Sequence, residues 1–281
     1  MTDRNISASV RERLYQKAKS ERTDVQRQFI RYALERLLYR LSVSEHQSHF
    51  LLKGALLFDL WFDVPFRATR DIDLLGFGLP EIPHLVAVFR DLCQIEVEDG
   101  VRFDANSISV EDIREAANYP GMRIKLIGYI DAAACHVQVD IGYGDALTLD
   151  PGTADYPTIL DDMPAPKLRV YPIYTVVAEK LEAIISLGMA NTRMKDYFDL
   201  WVIFRHRELD DSLLFDAFSA TLRVRKSEMP DGIPLGFSDA FIGNQSSTSM
   251  WNAFVTRNKL EAESLQATVI ELRDRLDFLF K

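Results

Sequence analysis

Leu51-Leu52-Lys53-Gly54-Ala55-Leu56 and Thr69-Arg70-Asp71-Ile72-Asp73-Leu74-Leu75 are the stretches on which the fold of this chain turns. The second alternates acidic and apolar residues with the period of two that a strand imposes. Asp71 and Asp73 then project from one face and Ile72 from the other. Two carboxylates brought together in this way repel unless a cation joins them. A hard divalent ion with oxygen ligands, Mg²⁺ above all, resolves the repulsion and keeps positions open for phosphate oxygens. The first stretch supplies the complementary half. A glycine between an apolar run and a helix lets backbone N–H groups approach an anion closely, and Lys53 adds a point charge beside them.

A third acid stands in Cys135-His136-Val137-Gln138-Val139-Asp140-Ile141. The alternation of Val137, Val139 and Ile141 is strand-like, so Asp140 faces away from them. If this strand neighbours that of Asp71, Asp140 completes a three-carboxylate site, placed to activate an attacking hydroxyl. Each element alone has a plain structural reading. A lone Asp-x-Asp is usually a surface pair, Lys53-Gly54 a turn, and Asp140 the start of the Gly142–Gly144 loop. Their joint occurrence in this order favours the chemical reading.

Outward from this centre, 7–19 and 23–42 read as helices, the second with Phe29, Ile30, Ala33, Leu34, Leu37, Leu38 and Leu41 at helical spacing and Thr23 or Asp24 as its cap. A helix is expected from Ala55 to about Phe62 and another over His84–Cys93. Strands are expected over Thr69–Leu75, Ile95–Asn106, Gly121–Ile130 and Ala134–Ile141. A Pro- and Tyr-containing connection, 150–172, leads to helices over Ile173–Leu187, Arg193–Arg205 and patches near 210–225, then one final helix from about Ser249 to Phe280. The stretch 230–248 reads as a mobile loop. The pattern is α+β: a small mixed sheet with flanking helices, followed by a mostly helical C-terminal half, with a boundary between 1–165 and 166–281.

The formal net charge of −9 argues against a dedicated duplex-DNA binder, whose affinity rests on neutralising phosphates. It suits a protein held by a basic partner, and it leaves room for a local basic face that binds RNA. No apolar run reaches the roughly 18–20 residues of a membrane span, and the first residues lack the apolar stretch of a signal peptide. A cytoplasmic protein is expected, with no membrane partner. Cys93 and Cys135 lie in apolar stretches without metal-ligand spacing and read as buried thiols.

In combination these motifs resemble the AbiEii/AbiGii (MenT-like) toxin family of the DNA polymerase β nucleotidyltransferase superfamily. The resemblance is carried by Lys53-Gly54-Ala55, Arg67 to Asp73, Val137 to Asp140, Glu179-Lys180-Leu181-Glu182-Ala183 and Arg193-Met194-Lys195-Asp196-Tyr197-Phe198-Asp199-Leu200, over roughly residues 30–205. It implies a nucleotidyltransferase-type sheet and an enzyme that transfers a nucleotide from an NTP, with Asp71, Asp73 and Asp140 as metal and catalytic residues. Lys180 then meets the nucleotide phosphates, and Lys53, Gly54, Ala55, Arg67, Thr69, Lys195 and Asp196 belong to the nucleotide site. Ala55 stands where many nucleotidyltransferases carry Gly or Ser, so backbone donors, Lys53 or Arg67 must make the missing phosphate contact. Residue chemistry alone reads Lys180 as a lysine snorkelling beside an apolar helix face, and Asp196 and Asp199 as a helix-surface ion network. Tyr197, Phe198 and Trp201 read as core. Relatives of this kind are toxins of toxin–antitoxin pairs, some acting on the 3′ end of tRNA. The resemblance therefore implies an RNA acceptor such as tRNA and a cognate antitoxin. A basic stripe of Arg67, Arg70, Lys180, Arg193 and Lys195 would reconcile this with the acidic net charge. A small-molecule or protein hydroxyl as acceptor, and a regulatory module that keeps the fold without the chemistry, are the rival readings.

Overall fold

Asp24 accepts the backbone N–H of Arg27 at 2.8 Å and so begins α2 (Val25–Val43), satisfying one of the donors that a helix start leaves orphaned. The computed structural model in which this is seen describes residues 5–62, 69, 71–114, 120–145, 147 and 149–281. The chain divides into two compact units, the first formed by described residues of 1–65, 69–144 and 151–171, the second by 172–281 with 145–150.

The first unit is a seven-stranded mixed sheet backed by helices. Besides α2 it contains α1 (Ile6–Ser20), α3 (Phe58–Trp61) and α4 (Ile82–Gln94). The strands are β1 (Phe50–Lys53), β2 (Asp71–Gly76), β3 (Val101–Arg114), β4 (Pro120–Ile130), β5 (Ala133–Tyr143), β6 (Gly152–Asp155) and β7 (Lys167–Val170). Their order across the sheet is β3-β4-β5-β2-β1-β7-β6. The pairings β2–β5 and β1–β7 are parallel and the others antiparallel. α2 packs on β5 and α4 on β3. Beneath β2, Leu38 of α2, Phe89 of α4, Phe50, Ile72, Leu74 and Val139 meet around one apolar centre. These inward residues fill the alternate positions of β2 and β5. The acids between them are thereby turned to the other face.

Several sequence expectations change in detail. Ile95–Asn106 is not one strand: the ladder begins at Val101 and runs on to Arg114. The buried Arg40 donates to both oxygens of Asp99 (2.7 and 3.2 Å) and to the carbonyls of Ile95 and Val101, which commits the preceding segment to a tied loop. Gly100, at φ +75, makes the turn out of it. The connection 150–172 contains β6 and β7. The helix expected from Ala55 opens with a 3₁₀ turn, Gly54–Leu57, before α3.

The second unit is helical: α5 (Ile173–Leu187), α6 (Met194–His206), α7 (Asp211–Arg225), α8 (Asp239–Ile242), α9 (Gln245–Asn258) and α10 (Leu265–Arg275). The single final helix is in fact two. Lys259 ends α9 in the left-handed conformation, and Ser264 caps α10 by accepting from Ala267 N–H. The stretch 230–248 is largely ordered into short helices with Phe237 and Phe241 fully buried. A Cβ at Gly236 would lie 2.7 Å from Ile184, and Tyr197 donates to the Gly236 carbonyl at 2.8 Å. Tyr197, Phe198 and Trp201 are core, as the sequence predicts. Among the described residues no helix is long and apolar enough to cross a membrane.

Candidate active site

Two neighbouring strands deliver the three acids, β2 carrying Asp71 and Asp73 and β5 carrying Asp140. β2 lies between β1 and β5, with Asp73 opposite Lys53 on one side and opposite Asp140 on the other. Two residues along, on the same face, Asp71 is opposite Gln138. Asp71, Asp73 and Asp140 are all half-buried, and each can offer a carboxylate oxygen within 4.8 Å of the others. Thr69 Oγ1 donates to Asp71 Oδ1 at 2.6 Å and sets that carboxylate's orientation. A three-carboxylate cluster at this spacing is an all-oxygen, strongly anionic donor set. That is the chemistry a hard divalent cation requires, and the residues fit such an ion.

Gly54 adjoins the cluster. Its φ is +73, and a Cβ there would lie 2.0 Å from Asp73 Oδ2. Both the backbone conformation and the close approach of the carboxylate demand glycine at this position. Ala55 is buried behind it, and Lys53 holds its ammonium 5.8 Å from the centre of the Tyr171 ring.

The row of residues across the sheet continues beyond Asp140. Arg123 of β4 is its cross-strand partner, and Glu111 of β3 is opposite Arg123. Arg123 Nε and Nη2 donate to Asp140 Oδ1 and Oδ2 at 2.8 and 2.7 Å. The Gln138 amide lies 3.3 Å from both oxygens. The bond to Asp140, with the nearby charges of Asp140, Glu111 and Asp71, outweighs partial burial and raises the guanidinium further above its usual range. Neither Arg123 nor Gln138 is among the residues singled out from sequence. The signal for Arg123 is its position between the inward-facing Met122 and Ile124, which puts a cation on the polar face.

Lys180, Lys195 and Asp196 belong to the second unit. Lys180 Nζ donates to Asp196 at 3.0 Å and to Asp199 at 2.7 Å, and Arg193 Nε donates to Asp196 at 2.6 Å. Asp196 and Asp199 are fully buried, so the helix-surface reading of this network is incorrect. Burial works to raise the Asp196 carboxyl, yet Lys180 and Arg193 outweigh it and hold the group below the usual carboxylate range. Lys195 is exposed. Arg67 and Arg70 lie outside the described residues. Cys135 is buried and Cys93 half-buried, both free thiols whose surroundings push them up, to about 12 and about 11.

Comparison with known proteins agrees with this architecture. The family described as nucleotidyl transferase AbiEii toxin, type IV toxin–antitoxin system, matches residues 36–277. A solved Helicobacter pylori protein described as a candidate nucleotidyltransferase is 16% identical, with 88% of this chain and 91% of that one covered and a TM-score of 0.50. JHP933 from the same organism is also 16% identical, with 88% of each chain covered and a TM-score of 0.48. At such identity the likeness to the first of these speaks for the fold alone. No curated protein matches the sequence.

Proposed function

The chain belongs to the AbiEii nucleotidyl transferase toxin family and is a nucleotidyltransferase, and from that premise we propose that it transfers a nucleotide from an NTP to the 3′ end of an RNA such as tRNA, with Mg²⁺ held by Asp71, Asp73 and Asp140. The family description also implies a cognate antitoxin. The observation that carries the reading is the register of β2, which sets Asp73 beside both Asp140 and the Lys53–Gly54 turn. An acid cluster and an anion-compatible turn thus share one strand end.

In the reaction, an acceptor hydroxyl attacks the α-phosphorus of the NTP, a new P–O bond forms, and the bond to the departing pyrophosphate breaks. The metal ion, when bound, supplies Lewis-acid charge to the phosphate oxygens. Backbone N–H groups of the turn beginning at Gly54 bind the triphosphate, and Lys53 adds charge there. Asp140 accepts the proton of the attacking hydroxyl. Thr69 keeps Asp71 in its ligating orientation through their 2.6 Å hydrogen bond. The phosphate role that the resemblance implies for Lys180 requires its ammonium to exchange Asp196 and Asp199 for phosphate oxygens. Lys195, exposed on α6, has no such commitment to break. Asp196, already paired twice, holds Lys180 and Arg193 in place.

The test is incubation of the purified protein with total tRNA, Mg²⁺ and each labelled NTP in turn, beside an Asp71→Asn/Asp73→Asn control. Label entering tRNA only with the intact protein is the expected result. No label with any NTP, while Mg²⁺-dependent NTP binding persists, would overturn the RNA acceptor and direct the search to small-molecule or protein hydroxyls.

A further inference from the structure

A cation already holds both oxygens of Asp140. The fork of Arg123 takes one lone pair on each oxygen, and Gln138 approaches the same two atoms at 3.3 Å. Glu111, the other carboxylate opposite Arg123, is engaged by Lys125 at 2.5 Å, which leaves the guanidinium committed to Asp140. The pair is built into the sheet. β4 and β5 are joined by the two-residue turn Asp131-Ala132, so the register that opposes Ile130 to Ala133 also opposes Arg123 to Asp140.

We propose that Arg123 restrains divalent-ion binding at the three-carboxylate site by occupying Asp140, so that Asp140 joins the ion only when Arg123 is drawn away. The inference rests on the metal reading given above. It carries a sign that separates it from ordinary support of a ligand. A partner that merely orients a metal-ligating side chain strengthens binding, and its loss costs about 10–100-fold in affinity. Arg123 instead brings a full positive charge beside the position of the ion and consumes lone pairs of the third ligand. Its removal therefore strengthens binding. An anionic substrate that attracts the guanidinium would lift the restraint, linking full metal occupancy to the arrival of a triphosphate.

The experiment is Mn²⁺ binding to the whole protein without nucleotide, followed by electron paramagnetic resonance. Arg123→Met is expected to bind Mn²⁺ about tenfold more tightly than the unaltered protein. The gain should vanish in Arg123→Met/Asp140→Asn. Arg123→Lys keeps the charge but loses the fork, and should show a smaller gain in the same direction. It also serves if the methionine variant fails to fold. Unchanged or weaker binding in the folded variants, with the unaltered protein binding Mn²⁺, would overturn the restraint while leaving the metal site standing. Absence of Mn²⁺ binding in every protein would overturn both.

Discussion

The sheet of the first unit and the helices of the second each gather acids and bases into one cluster, and they bury the acids to different depths. Between α5 and α6, the buried carboxylates of Asp196 and Asp199 are met by Lys180 and Arg193 at 2.6–3.0 Å. On the sheet, Asp71, Asp73 and Asp140 share a half-buried space, and Arg123 neutralises Asp140. A buried ion-paired cluster contributes to holding the structure once formed, because breaking it strands a charge in a poor solvent. Three carboxylates that converge while only half-buried contribute less to stability, and under the proposed function they are where a cation binds. The difference lies in burial, since both clusters use the same residue types.

The comparison is broken most directly by neutralising one member of each cluster. Asp73→Asn should lower nucleotidyl transfer by about 10³-fold or more, the scale set by several kcal/mol of lost charge stabilisation. Unfolding in urea should be unchanged or slightly harder, since a repulsion is removed. Lys180→Met should act in the opposite sense, costing about 3–5 kcal/mol of stability by removing the cation that the buried Asp196 and Asp199 share. If urea denaturation finds Lys180→Met as stable as the parent while the KM for NTP rises, the second cluster is functional and the contrast drawn here fails. Gly54→Ala sharpens the sheet side. Its positive φ and the 2.0 Å approach of Asp73 predict a loss of roughly 2 kcal/mol, together with loss of divalent-ion binding. A folded Gly54→Ala protein with undiminished Mn²⁺ affinity would show that Asp73 can move aside at no cost to the site.

How much of this was legible in the sequence follows from which interactions set each feature. The alternation Asp71-Ile72-Asp73 was enough to orient the acids, because the pleat of a strand allows no other arrangement. The same logic would have found Arg123, had the Asp131-Ala132 turn been used to count register back along both strands to Asp140. β6 could not be read this way: an edge strand with no buried position shows no apolar period, and it forms because β7 offers a ladder. Asp196 and Asp199 carry no local sign of burial. Only the packing of α5 on α6 brings Lys180 to them, and that contact joins residues far apart in sequence. The stretch 230–248 misleads for a related reason. Gly236 looks like loop punctuation, whereas its missing side chain is what lets the backbone press against Ile184.

The smallest effect comes from a third buried charge, on α2, and it carries the comparison into pH. Glu35 is 1% exposed, accepts the N–H of Ile159 at 2.6 Å, and has Arg36 at 2.6 Å as an ion pair. The Glu35 oxygen facing Arg36 has no aligned hydrogen bond, so the pair compensates burial incompletely. Burial pushes the carboxyl up to about 7 despite Arg36. A carboxyl raised on folding binds its proton more tightly in the native state. Its contribution is therefore full below the unfolded value, near 4.5, and is lost as pH rises through about 7. Asp196 is lowered on folding, so its contribution is present above the unfolded value and is lost as acid protonates the native carboxylate. Stability should accordingly be greatest on the acid side of neutrality. Between pH 5 and pH 8 the fall is expected to be about 2 kcal/mol, measured by urea denaturation at fixed ionic strength. Glu35→Gln should flatten that limb and leave the acid limb in place, whereas Asp196→Asn should do the reverse. If Glu35→Gln leaves the fall from pH 5 to pH 8 intact, Arg36 keeps Glu35 ionised in the native protein, and the α2 pair belongs with the buried ion-paired cluster of the helical unit.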